Sequence, residues 1–194
     1  MRAPDLLNEV QAAFADVPRP GEQQIIYDNR ADYPGVASIR DSFKHHPWQQ
    51  LPPEVLAQHQ DGFIFLSDPG LHYYLPAYLQ FAIQDYAAAD SIPDSLVYFL
   101  TLPIEADVVL TAFVNQRYGI NDTQSAAEKS ADYQDRLRRL PGRVHQFISR
   151  NSHFTAWQAR AILHFLEHVR DEHSEEYLHH EPSVAIERYW FQFA

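Results

Sequence analysis

His164, Glu167 and His168 stand in the order H-x-x-E-H, the spacing of the inverted zinc peptidases. On a helix turning about 100° per residue, His164 and His168 share one stripe with Trp157. Two imidazoles so placed could hold zinc while a carboxylate serves as general base. The pattern needs a third ligand, which such enzymes draw from a helix well downstream, and here only 26 residues follow His168. The competing reading is a partly exposed polar stripe in a chain that holds eleven histidines. No metal ligand is assigned on this basis, His164 and His168 stand as candidates only, and no cofactor is expected. His45-His46 and His179-His180 are adjacent pairs, and a specific metal site needs ligands converging from several elements.

Tyr73, Tyr74, Tyr78 and Tyr86 gather around one segment with Asp85 and Asp90 beside them. Tyrosine among acids suits protein recognition, because Tyr offers contact area at low entropy cost. Tyr78 and Tyr86 fall on the apolar stripe and belong to the core. Tyr73, Tyr74, Asp85 and Asp90 are left as the candidate binding residues. Arg136, Arg138, Arg139 and Arg143 form a basic cluster that could grip phosphate. The more economical expectation is that they neutralise the acidic middle of the same chain.

Absences narrow the chemistry. The chain has no cysteine, so disulfides, thiolate metal sites and thiol nucleophiles are impossible. Six glycines with no G-x-G spacing remove the phosphate-cradling loops, and G-x-S-x-G is missing as well. No apolar run approaches the roughly 18 residues that span a bilayer, and the N-terminus lacks a signal-like apolar core. A cytoplasmic protein with no membrane association is expected.

The net charge of −11 over 194 residues is unevenly placed. Between His45 and Gln116 there is no Lys or Arg, against eight acids, whereas Lys129 to Arg170 is net basic. Such an acidic excess argues against nucleic-acid binding, which rests on clustered Lys and Arg. It suits a basic protein partner.

The elements that must position these groups are mostly helical. Leu6, Leu7, Val10, Phe14 and Val17 keep helical spacing up to Pro18. Val36, Ile39 and Phe43 predict a second helix, and Pro52-Pro53 opens a short third. Ile25–Tyr27 and Phe63–Leu66 are short apolar runs that could pair as one two-stranded β element. Asp68-Pro69 resembles a helix cap, and Leu75 to Tyr86 gives the clearest helical pattern, with Pro76 in its first turn. Leu96 to Leu102 lacks a polar face and is expected to be buried on all sides as a short helix. In the next helix, Ile104 to Tyr118, Val108, Val109, Ala112 and Phe113 share one face. Asn121 to Ala131 is a polar loop or exposed helix start, and Tyr133 to Arg139 a solvated helix. Thr155 and Gln158 form a capping box ahead of a strongly amphipathic helix. The chain closes on Tyr189-Trp190-Phe191-Gln192-Phe193, expected to dock on the domain or on a second subunit. The sum is a mainly α, multi-helix single domain over 1–194, with 104–150 as a helical insertion and 174–194 as a docked tail.

Several stretches resemble an uncharacterised family of small bacterial proteins carrying a domain of unknown function. They are Ala13 to Gly21, Trp48 with Leu51-Pro52, Tyr73-Tyr74-Leu75-Pro76-Ala77-Tyr78-Leu79, and Phe165-Leu166-Glu167. The resemblance covers Leu6 to Phe99 and Phe154 to Glu172. It implies a bacterial cytosolic protein and assigns no activity and no catalytic residue. The leading expectation is a non-catalytic acidic protein that neutralises a basic partner, similar in size and charge to bacterial immunity proteins. The alternatives are a metal-binding protein or metal-dependent hydrolase using His164 and His168, and a structural protein that homodimerises through its aromatic tail.

Overall fold

The computed structural model describes residues 2–27, 33–120 and 123–194. The chain folds into two compact units, Met1–Thr101 with His153–Ala194, and Leu102–Ser152. Among the described residues there are nine α-helices and no strand. The expected β pairing reduces to a single antiparallel bridge between Ile26 and Leu66, because Gly62–Phe65 winds into one 3₁₀ turn instead.

The first unit is built around α4 (Asp68–Gln84), whose residues from Leu71 to Ile83 are buried apart from His72 and Gln80. A helix that is apolar all round has to be covered on every side. Its cap is Ser67 rather than Asp68, since the Ser67 hydroxyl accepts the Gly70 amide at 3.1 Å. Asp68 and Pro69 occupy the first turn, where proline loses no needed donor. Pro76 therefore lies deep in the helix and not in its first turn. Its missing amide costs about 3 kcal/mol in a free helix, offset here by the burial of its neighbours.

Around α4 lie α1 (Ala3–Ala13), α2 (Pro34–Phe43), α3 (Pro53–Gln58), α5 (Ile92–Phe99), α8 (Ala156–Glu172) and α9 (Glu181–Arg188). α1 packs on both α4 and α8, and α8 packs on α9. Buried tyrosines tie α4 to the ends of its neighbours. Tyr74 donates to the Phe43 and His46 carbonyls at 2.9 and 3.2 Å, and Tyr78 to the His59 carbonyl at 2.7 Å. Burial pushes both phenols above their usual range, so they act as neutral donors. Gln158 is a second node. Its side-chain oxygen accepts from the Thr155 amide at 3.0 Å and from His72 Nε2 at 2.8 Å. Its nitrogen donates to the Ala13 carbonyl at 3.1 Å. The Thr155–Gln158 capping box is thus present, and it also joins α1, α4 and α8.

α5 departs from its expected burial. Ile92, Leu96 and Val97 are covered, but Tyr98 is 72% exposed, because α4 and α9 pack on one side of this eight-residue helix. The C-terminal turn, Trp190–Phe193, is seated on its own unit: Trp190 is fully buried and donates its indole N–H to the Leu100 carbonyl at 2.7 Å.

The second unit consists of α6 (Glu105–Arg117) packed against α7 (Ala126–Asn151). Ser125 caps α7, its hydroxyl accepting the Glu128 amide while Glu128 accepts the Ser125 amide at 2.7 Å. Of the two expectations for 121–131, that box gives the exposed helix start, with α7 opening at Ala126; Asn121 and Asp122 lie outside the described residues. The expected shared face of α6 is not buried as a set. Val108 is covered, whereas Val109 and Phe113 are 49% and 62% exposed.

Candidate functional site

α2, α3 and the turn at 62–65 enclose an open groove of about 1120 Å³. Val36 and Ile39 on α2 and Ala57 and Phe65 opposite give it apolar walls, and Tyr33 stands at its edge. One wall is polar: Gln58 at the end of α3 and His59, Gln60 and Asp61 directly after it. The described lining contains no Lys or Arg.

This wall is held from behind. The His59 carbonyl accepts both the Tyr78 hydroxyl and, at 2.8 Å, the Gly62 amide. Gly62 is required there, because a Cβ would lie 2.5 Å from the Tyr78 oxygen. The His59 ring meets Ser42 Oγ at 3.2 Å and packs edge-on to Phe43. Burial holds its basicity below the usual imidazole range, so the ring is neutral at pH 7. A serine–histidine pair becomes a nucleophile and base only when a third group orients the imidazole. Among the described residues no carboxylate hydrogen-bonds this ring, and Ser42 is not part of the groove lining.

Gln60 extends the wall. Its amide donates to Asp90 at 3.2 Å, and its oxygen accepts the Ser91 hydroxyl at 2.7 Å. The loop after α4 is thereby held beside the groove. In that loop Asp85 accepts the Ala88 amide at 3.0 Å, and Asp90 takes a left-handed backbone with φ 51°, a conformation Asp tolerates better than most residues. Tyr86 then stacks on His173 at 3.5 Å and donates to the Tyr177 hydroxyl at 3.1 Å. These bonds bring three segments to one edge of the first unit: 59–61, 85–94 and 173–177. Together they present Asp61, Asp85, Asp90, Asp94, Glu175 and Glu176, all exposed. No Lys or Arg occurs between residues 45 and 116 or between 171 and 187. The ion pairs of Arg2, Arg40, Lys44 and Arg170 in this unit are made with Asp5, Asp41, Glu22 and Asp171 instead.

The four candidate binding residues separate cleanly. Asp85 and Asp90 lie in one exposed loop of this edge. Tyr73 and Tyr74 are 5% and 0% exposed and ring-packed on one another, so they serve the core. His59, Gln60 and Asp61 were not legible as a wall, since nothing in their spacing distinguishes them from any turn after a short helix.

His164 and His168 have different surroundings. His164 Nδ1 meets Glu9 on α1 at 2.7 Å. His168 is buried, with its ring 6.0 Å from that of His173, and burial first, then the neighbouring His173, keeps its basicity low. Among the described residues no three His, Cys, Asp or Glu side chains gather as a metal-binding set. The arginine cluster pairs within its own helix: Arg136 with Asp132 at 2.8 Å and Arg139 with Asp135 at 2.7 Å. No described helix is long and apolar enough to cross a membrane.

A model described as a family of unknown function, DUF6714, matches residues 2–128. The chain belongs to that family. The DUF6714 match takes in α1 to α6 and therefore the groove and the acidic loop between α4 and α5. It also includes residues 104–128, beyond the stretch that the sequence resemblance covers. No curated protein and no solved structure matches the chain.

Proposed function

We propose that this DUF6714 protein is a non-catalytic binding protein of the bacterial cytoplasm that captures a basic partner. The partner's apolar residues would enter the groove between α2 and α3 while its cationic residues meet the acidic edge. The supporting observation is the double hydrogen bond of Gln60 to Asp90 and Ser91, which fastens an acidic loop to the wall of an apolar groove. Groove and charge then form one continuous surface in which area gives affinity and charge gives steering and specificity. The hydrolase alternative has less support, because His164 is bonded to Glu9 and no third ligand gathers with the pair among the described residues. Dimerisation through the aromatic tail has less support too, because Trp190 is buried within its own unit.

The test is capture from the native host at native expression level, comparing the wild-type chain with Asp85→Lys and Asp90→Lys. A stoichiometric basic partner, released as salt rises and lost from Asp90→Lys with unchanged helicity, is the expected result. Asp90→Lys weakens capture by about tenfold or more if the charge is desolvated in the complex. A partner held equally by both charge-reversed chains, or one indifferent to salt, would overturn the reading.

A further inference from the structure

α6 has more apolar surface than its own unit uses. Val108 turns inward, but Val109, Leu110 and Phe113 are 49%, 60% and 62% exposed. At about 100° per residue these three, with Ala106, form one stripe along the helix. A helix apolar on two faces calls for cover on both, and a unit of two helices supplies only one. The stripe's ends carry opposite charge. Glu105 opens the helix, and Arg117, the only basic residue between positions 45 and 128, closes it.

The geometry points to a second copy of this chain as the occupant, with two α6 helices packed antiparallel about a two-fold axis level with Thr111. In that register Val109 of one copy meets Phe113 of the other, and Glu105 of one copy lies at the same end as Arg117 of its mate. The contact is self-complementary, as an isologous interface must be. Unlike charges and opposed helix dipoles sit side by side at both ends, which favours antiparallel over parallel pairing. With three large apolar side chains per copy, the dimer is weak, in the micromolar range.

The experiment uses the full chain. Because the protein has no cysteine, single cysteines report proximity without background. On mild oxidation at about 50 µM, above a micromolar Kd, a mixture of Val109→Cys and Phe113→Cys should give a mixed covalent dimer in higher yield than either variant alone. Sedimentation equilibrium should show a wild-type dimer that Phe113→Asp converts to monomer with helicity retained. A monomeric wild type at that concentration would overturn the proposal, as would a dimer indifferent to Phe113→Asp. Cross-linking of each variant to itself in preference to the mixture would mean parallel pairing and would overturn the stated geometry. Since this stripe shares no residue with the acidic groove, its failure leaves the partner-capture reading intact.

Discussion

Gly70 sits where α4 begins, and a Cβ there would lie 2.1 Å from the Ile25 carbonyl oxygen. The same oxygen accepts the Ser67 amide at 3.0 Å, and the Ser67 hydroxyl donates to the Gln24 carbonyl. The first turn of α4 is thus pressed against the 24–26 backbone with room for hydrogen only. Gly70→Ala is expected to cost at least about 2 kcal/mol, as overpacking against backbone does. Gly142, in α7 with open space around it, should respond with the opposite sign, Gly142→Ala gaining about 0.5–1 kcal/mol. Urea unfolding of the two variants checks both. His168 couples stability to pH. Its burial lowers its affinity for a proton in the folded state, so between the ordinary imidazole value of about 6.5 and its depressed folded value the unfolded chain binds more protons. Stability is therefore full above about pH 6.5 and falls as the pH drops through that window. His59 contributes in the same direction. Asp171 and Glu172 oppose the shift at His168, and His173 adds to it. Thermal midpoints between pH 7 and 5 should drop less for His168→Gln than for the wild type; equal slopes would remove His168 from the account.

Helix existence was legible where a local rule sufficed. The Thr155–Gln158 box was visible because its partners are three residues apart, and α1, α2 and α3 were visible from apolar spacing and first-turn prolines. α4 was misjudged at its start because Pro76 looks like a helix opener. Only the surrounding core, which no local pattern encodes, lets the helix run through it. What Gln158 does beyond its cap was likewise hidden, since His72 and Ala13 are 86 and 145 residues away in sequence. That difference is measurable. Thr155→Ala removes a cap and should cost about 1 kcal/mol. Gln158→Leu keeps the volume but strands the buried groups of α1 and α4 that it serves, and should cost about 2–3 kcal/mol. Equal losses in urea unfolding would mean that Gln158 acts as a cap alone. The two-faced character of α6 was missed for a related reason: periodicity shows that apolar residues share a side, and not whether the chain has anything to place there.

Across the whole molecule the charge divides with the units. Residues 1–101 and 153–194 hold twenty acids against eight Lys and Arg, while 102–152 holds six against seven. The acidic surplus was evident in the sequence, but its gathering on one edge depends on bonds such as Gln60–Asp90, formed between residues 30 apart. The first unit is also discontinuous along the chain. Its sequence is interrupted by residues 102–152, and Trp190 closes it from near the end by bonding to Leu100. During synthesis, at about 5–20 residues per second, the apolar surface of α4 must wait several seconds until α8 and Trp190 emerge. The groove-bearing unit therefore matures last, after α6 and α7 have been made. Its early helices meanwhile depend on whatever shields nascent apolar chain in the cell.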